Sequence, residues 1–475
     1  MWFARLAHWF EWPILVFSLL SNGLYGVMWF LAAAELLRHL LRLRHVTPYQ
    51  LHRSAFTPSI ALLMPAFNEQ ASIVESVKSA TLLRYPVLEI IVINDGSKDQ
   101  TLERVRSAYQ LEPVQRAPLQ GVEHEPIRGL YRSGVLPQLY VIDKVNGGKA
   151  DSLNAGIAYC RSQLVCAVDA DSLLQADSLE RLVQPFIAEP ERMAAVGGKI
   201  GVVNGAQVRA GQVVQLGLPR RLLPLFQVVE YLRSYYIGRL GWNVIGGLLI
   251  ISGAFGLFRT DLIAAVGGYK RGSLGEDMEL TVRLHRYLSD EGRPYKIAFV
   301  PDAVCWTEVP ETLRMLWRQR SRWHRGLVES LWEHRSMLGD RRYGTSGLFA
   351  MPGFWVVEVL GPVVELVGWL TLPLFFIAGR LSLEAMVVFL EMAVLFGMIL
   401  SVSAVLGEQV LLGRYRRGRE FVVLVGVALL ENLGYRQLTL VMRLWGIYLH
   451  LVRRGGDGWG EMVRKGFGGN GKSPT

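Results

Sequence analysis

Apolar and polar positions along this chain fall into three textures. Residues 14–34 contain no charge, and a run of about twenty apolar residues is what a helix needs to cross the hydrocarbon core of a membrane. The pattern predicts a transmembrane helix there. A cleaved signal peptide would be shorter and would carry its basic residues first. Here Arg38, Arg42 and Arg44 follow the run, and by the positive-inside tendency they put the next segment on the cytoplasmic side.

From Pro58 to Pro310 the texture changes to short apolar runs rich in β-branched residues, alternating with helix-like stretches that begin at Ser or Asp. This alternation predicts an α/β domain, with buried strands over 59–64, 88–93, 139–144 and 164–168. In open α/β sheets ligands bind where such strands end. Residues 110–138, with several Pro and Gly and no clear period, are expected to form an extended excursion on the surface. Beyond Gly347 the apolar segments return over 348–378, 383–406 and 421–451, with Arg414, Arg416, Arg417 and Arg419 between the last two expected on the cytoplasmic side. The last segment carries Glu431, Arg436 and Arg443, and reads either as a span plus an interfacial helix or as a re-entrant hairpin. Glu358, Glu365 and Glu431 either line a polar path or pair between helices. The expected organisation is a transmembrane helix with its basic flank (1–45), an α/β domain (58–310), interfacial helices (311–346), a transmembrane and interfacial helical region (347–452), and a flexible basic tail (453–475).

The net charge of +10 gathers in Arg-rich segments beside apolar runs, which fits membrane orientation and an anionic small-molecule substrate better than nucleic acid. The three cysteines, Cys160, Cys166 and Cys305, are odd in number and lack CxxC spacing, so they predict buried thiols rather than a disulfide framework or a zinc site.

Five motifs carry candidate chemistry, and each has a plain structural alternative. Asn94-Asp95-Gly96-Ser97 follows a predicted strand, where Asp can accept from a nucleobase or ribose, or simply build a turn. Asn146-Gly147-Gly148-Lys149 precedes a helix over 150–159 and can dock an anion or cap the helix; its spacing and the missing Ser or Thr exclude a Walker A loop. Asp169-Ala170-Asp171 ends another strand. Two carboxylates two apart in an extended segment face one side, where a hard divalent cation would relieve their repulsion, unless the pair is a solvated turn. Gly275-Glu276-Asp277 opens a helix over 278–288 and supplies either a base or dipole complementarity. Gln319-Arg320-Ser321-Arg322-Trp323 offers guanidinium groups for a diphosphate and a flat indole face for a sugar, or an interfacial helix, or both.

These motifs, in this order and between these spans, resemble the membrane-bound processive branch of family 2 glycosyltransferases, which includes cellulose, hyaluronan and poly-N-acetylglucosamine synthases. The resemblance includes Pro65-Ala66-Phe67-Asn68-Glu69 at the end of the first strand. It implies a GT-A (nucleotide-diphospho-sugar transferase) α/β domain between an N-terminal transmembrane helix and a C-terminal helical membrane region. It also implies that Pro65, Asn68, Glu69, Asp95, Lys149 and Asp169 bind the nucleotide donor, and that Asp171 and Asp169 hold Mn²⁺ or Mg²⁺. Asp277 is then the general base, with Glu276 beside it in the catalytic motif. Gln319, Arg320, Arg322, Trp323, Ser252 and Gly253 face the acceptor and diphosphate. Asn94 stands where the usual motif has Asp, Gly275 where it has Thr, and Ser252-Gly253-Ala254-Phe255 departs from the cellulose synthase sequence, which leaves acceptor identity open.

The implied function is inverting transfer from a UDP-sugar to a β-linked polysaccharide at the cytoplasmic face of a multi-pass inner membrane protein. Contact with membrane lipid, no nucleic-acid partner, and an accessory subunit for any regulation go with it. Single-sugar transfer to a membrane lipid is the nearest alternative. A non-catalytic polysaccharide-binding or transport protein is the alternative of another class, and it needs neither a base nor a metal site.

Overall fold

The computed structural model describes residues 2–45, 57–209, 211–379, 382–413 and 418–452. The expected basic tail and Arg414, Arg416 and Arg417 lie outside them. The described residues form two compact units, an α/β unit within 57–219 and 248–309, and a helical unit of 2–45, 220–247 and 310–452. Residues 220–247, placed in the α/β domain by their position in the sequence, group with the helices. Their two apolar helices, Leu222–Arg233 and Leu240–Val244, join through a π-helical turn to form one rod.

The α/β unit holds twelve strands: β1 (Ile60–Ala66), β2 (Leu88–Asn94), β3 (Leu111–Pro113), β4 (Ile127–Ser133), β5 (Leu139–Lys144), β6 (Leu164–Ala167), β7 (Leu173–Leu174), β8 (Met193–Val202), β9 (Gln207–Arg209), β10 (Gln212–Gln215), β11 (Gly256–Arg259) and β12 (Lys296–Thr307). Ten form one sheet in the order β3-β4-β5-β2-β1-β6-β11-β8-β12-β7, and β9 and β10 pair separately. The centre, β5-β2-β1-β6, is parallel, with Leu62 opposite both Ile90 and Cys166. Strands covered on both faces need continuous apolar runs, and Ile60–Met64 and Ile90–Ile93 supply them. Helix Lys149–Tyr159 packs on this centre, where a Cβ on Gly156 would sit 3.0 Å from Leu63 and 3.3 Å from Ile93.

The four strands expected from the apolar runs are β1, β2, β5 and β6. The expected excursion at 110–138 is partly a correction, because β3 and β4 lie inside it and β4 pairs antiparallel with β5. Its sequence, IRGLYRS, has a half-exposed face and a central Gly, so its strand character comes from the edge that β5 offers rather than from its own pattern.

Helix Glu276–Asp290 buries His285, which is 1% exposed and bonded to the Leu248 carbonyl and the Tyr295 hydroxyl at 2.9 Å each. Burial presses its pKa from 6.5 down to about 4, against the pull of the Leu248 carbonyl toward the charged form. Between those values the unfolded chain takes up a proton that the folded chain refuses, so the stabilisation present above pH 6.5 is lost as pH falls toward 4. The loss amounts to about 3 kcal/mol. Thermal unfolding followed over this range should show a shallower acid slope in His285→Gln than in the parent. Identical slopes would remove this role.

In the helical unit, Val16–Arg42 of the helix Trp2–His45 and Ser346–Ile377 are long and apolar enough to cross a membrane. Gly418–Leu430 and Tyr435–Val452 pass the same test only as a pair bent by 57°, which matches the expected interruption near Glu431. Glu358, Glu365, Glu408 and Glu431 are paired. Arg443 meets Glu358 at 2.8 Å and Arg436 meets Glu365 at 3.7 Å. Both partners step by seven residues in opposite directions, so the two ion pairs are rungs between antiparallel helices. Glu431 accepts from Arg233 and Ser401, and Glu408 from Tyr236 at 2.5 Å. Burying these groups in apolar surroundings is tolerable because each is matched.

Candidate active site

The carboxyl ends of β1, β2, β5 and β6 open onto one edge of the α/β unit, and the motifs at 65–69, 94–97, 146–149 and 169–171 emerge there. After β6 the chain does not stay extended. Asp169–Ser172 form a turn closed by the Ser172 amide on the Asp169 carbonyl at 2.9 Å, and the Ser76 hydroxyl donates to the Ala170 carbonyl at 2.5 Å. The two carboxylates therefore owe their placement to this turn, not to strand alternation as expected. Asp171 is buried and Asp169 is part-exposed.

Lys149 joins three of the motifs. Its ammonium lies 2.5 Å from Asp169 Oδ1 and 3.9 Å from Glu276 Oε1. Burial works against its charge, but Asp169, Glu276 and, further off, Asp277 outweigh it and hold the pKa above the usual lysine range. It is thus a fixed cation at every working pH. Asp277, in the first turn of helix Glu276–Asp290, accepts the Gly253 amide on Oδ2 at 2.9 Å and the Met278 amide on Oδ1 at 2.8 Å. Gly253 so reaches the site through its backbone. Ser252 closes the adjoining turn, its carbonyl accepting from the Phe255 amide at 3.0 Å.

Asp95 is held by four hydrogen bonds from the end of β5 and the loop after it. Oδ1 accepts from Lys144 at 2.7 Å and the Gly147 amide at 2.9 Å, and Oδ2 from the Gly148 amide at 2.8 Å and Asn146 Nδ2 at 3.1 Å. The Gly147 and Gly148 amides, expected to dock an anion, point at this carboxylate. Gly96, at φ 65°, lets the two loops meet, since a Cβ there would sit 2.9 Å from the Asn146 nitrogen. Pro65 lies within β1 opposite Ile93. Asn68, at φ 57°, accepts the Lys98 amide on Oδ1 at 2.9 Å, and Glu69 accepts the Ser72 hydroxyl at 2.6 Å, so both stitch the loops after β1 and β2 together.

The donor set at Asp169 and Asp171 is oxygen only. The three cysteine thiols are buried, and burial raises those of Cys166 and Cys305, and that of Cys160 to about 12. Two carboxylates with no thiolate suit a hard divalent ion such as Mn²⁺ or Mg²⁺.

In the helical unit, helix Leu313–Glu333 carries Gln319, Arg322 and Trp323 at i, i+3 and i+4, a spacing that places them on one face. Arg320 falls beside that face and is committed elsewhere. Its guanidinium pairs with Glu230 at 2.8 Å, which Tyr435 also meets at 2.7 Å, and it stacks 4.5 Å from the Trp323 ring centroid. It thereby braces Trp323, which is 42% exposed.

Sequence reasoning missed Lys144, Asp151 and Tyr269. Lys144 pairs with Asp95 and Asp151, Asn146 of the expected motif donates to Asp95, and Tyr269 is buried close enough to Glu276 and Asp277 for their charges to raise its pKa further after burial itself. Only the crowding of Lys144 and Asp151 around the Gly-Gly step hinted at the network.

Comparison with known proteins supplies the class. Residues 136–326 match the family described as glycosyltransferase like family 2, and residues 271–422 match the one described as chitin synthase. The chain is 29% identical over 272 residues to a poly-beta-1,6-N-acetyl-D-glucosamine synthase of Staphylococcus epidermidis, covering 57% of this chain and 55% of that protein. The enzyme of the same description from Staphylococcus aureus (strain COL) matches at the same identity and coverage. The chain thus spans about half the length of the curated relatives it matches. Its structure aligns with the mannosyltransferase PcManGT from Pyrobaculum calidifontis, solved with GDP-Man and Mn²⁺, at a TM-score of 0.52 and 16% identity over 92% of this chain and 99% of that one. The α/β unit has the GT-A fold. Residues 136–326 are thus similar to family 2 glycosyltransferases, and two helices among the described residues are long and apolar enough to cross a membrane.

Proposed function

We propose that this protein is an inverting, polymerising glycosyltransferase that moves N-acetylglucosamine from its UDP donor to a growing β-linked polysaccharide at the cytoplasmic face of a multi-pass membrane region. The observation that carries this reading is the meeting of Asp169, Lys149, Glu276 and Asp277 at one strand edge. A binding module needs no such base and cation. The sugar comes from the relatives, described as poly-beta-1,6-N-acetyl-D-glucosamine synthases. The orientation comes from Arg38 and Arg42, which follow the apolar run.

In the reaction, the Asp277 carboxylate takes the proton of an acceptor hydroxyl, whose oxygen attacks the anomeric carbon as the bond from that carbon to the β-phosphate oxygen breaks. The configuration inverts and UDP leaves. The amides of Gly253 and Met278 hold the Asp277 carboxylate in one orientation, so it need not reorganise as the proton moves. Lys149 supplies fixed positive charge beside Asp169 for the diphosphate. A divalent cation held by Asp169 and Asp171 would neutralise further charge on the leaving group. Gln319, Arg322 and Trp323, on one face of helix Leu313–Glu333, are proposed to bind diphosphate and sugar.

The test is product size. Full-length protein in lipid nanodiscs, supplied with radiolabelled UDP-N-acetylglucosamine and Mn²⁺, should give a ladder of products degraded by a β-hexosaminidase. A single-sugar lipid product would overturn polymerisation while leaving transfer intact.

A further inference from the structure

Helix Lys149–Tyr159 holds Lys149 in its first turn, and helix Glu276–Asp290 holds Asp277 in its own. Both helices grip one glycine turn, at 266–269, in which Gly267 and Gly268 take φ 83° and 79°. Asn154, on helix Lys149–Tyr159 and 1% exposed, holds it from one side. Its Oδ1 accepts the Tyr269 amide at 2.6 Å, and its Nδ2 donates to the Tyr269 carbonyl at 2.9 Å and to the Glu123 carbonyl at 3.0 Å. The carboxamide thus pairs with both backbone groups of Tyr269, as a residue on a neighbouring antiparallel strand would. A side-chain amide supplies the one acceptor and two donors that these contacts need. Gly268 lets it come this close, since a Cβ there would sit 2.4 Å from Asn154 Oδ1.

The same turn is held a second time, from the helix that carries Asp277. Arg283 donates through Nη1 to the Val266 carbonyl at 2.5 Å and through Nη2 to the Gly268 carbonyl at 2.8 Å. Nη2 also meets Glu279 Oε2 at 2.8 Å, one helical turn back, which fixes the guanidinium. Tyr269 itself is 3% exposed, so its ring is packed rather than free to swing. A continuous set of hydrogen bonds therefore runs from helix Lys149–Tyr159 through Asn154, the turn and Arg283 to helix Glu276–Asp290. None of its members takes part in the transfer steps.

Resting on the transfer reaction proposed above, we propose that Asn154 is a positioning residue. With Arg283 opposite, it brackets the turn at 266–269 and so fixes the Asp277 carboxylate relative to the Lys149 ammonium.

Asn154→Ala and Arg283→Gln in full-length protein in nanodiscs test this. The first removes the acceptor of the Tyr269 amide outright, and the second takes the guanidinium from the Val266 and Gly268 carbonyls. Without substrate, hydrogen exchange at the Tyr269 amide should quicken by about 10-fold in Asn154→Ala. The Gly253 amide donates to Asp277 Oδ2 and touches neither substituted residue. It should quicken by about 3-fold in both variants as the carboxylate shifts, whereas a purely local packing role would leave it unchanged. Turnover of UDP-N-acetylglucosamine should fall by about 100-fold, with UDP affinity from direct binding within about 3-fold of the parent, because the loss is one of reacting geometry. Thermal unfolding identifies a variant that fails to fold. Arg283→Gln, at a side chain 23% exposed, then decides alone through Gly253. Parental exchange at Gly253 in folded variants would overturn the proposal, and so would parental turnover beside quickened exchange. The exchange measurement needs no turnover, so an inactive parent would count against the proposed function while Gly253 still decides the bracket.

Discussion

Asp277→Asn is expected to lower turnover by about 1,000-fold while changing UDP affinity by no more than about 3-fold, because a positioned general base contributes of this order and an amide cannot take the proton. The substitution keeps the shape of the side chain but not its hydrogen bonds. Asp277 receives the Gly253 amide on one oxygen and the Met278 amide on the other. An asparagine can accept from only one of them and would turn an NH₂ toward the other. The side chain should swing away from the acceptor, adding a positional loss to the chemical one. Steady-state kinetics with UDP binding measured separately would show the split. A variant that retained turnover would move the base elsewhere, and Glu276, held near Lys149, would be the first residue to examine.

The second large effect is expected at the turn after β6. Asp171→Asn should weaken Mn²⁺ binding on the order of 100-fold, since removing one of two carboxylates strips half the anionic donors from a hard-cation site. Asp169→Asn should do the same, with an added cost. It removes the partner of the Lys149 ammonium at 2.5 Å and leaves that cation to Glu276 at 3.9 Å. Mn²⁺ titration followed by electron paramagnetic resonance reads this without catalysis. Turnover of both variants should then depend on Mn²⁺ at concentrations well above those that saturate the parent. Equal Mn²⁺ affinity in parent and Asp171→Asn would remove this turn from the metal site.

Much of this site could be read before folding because the motifs at 94–97, 146–149 and 169–171 each follow a strand the apolar runs reveal. Residues 60–64 and 90–93 are buried on both sides, and such strands write themselves as unbroken apolar stretches. Strand β4 could not be read this way, because its half-exposed sequence becomes a strand only against β5. The Asp169–Asp171 pair was legible as chemistry but not as shape, since a turn pinned by Ser76, far away in the chain, replaces the extended geometry. Lys144 was the hardest. After a strand a lysine usually marks solvent, and only the fold brings Asp95 from the end of β2 to meet it. The pairing of Arg320 was illegible for a related reason, since its partner Glu230 lies far away in the chain on the Leu222–Arg233 helix.

The most direct measurement is nucleoside-diphosphate release by full-length protein in lipid, across a panel of UDP- and GDP-sugars with Mn²⁺, run in parallel with Asp277→Asn. Release from UDP-N-acetylglucosamine by the parent, with loss in the variant, is the expected result. Equal release by the two proteins, or none from any UDP-sugar by folded parent supplied with a β-linked oligosaccharide acceptor, would contradict catalysis at this site.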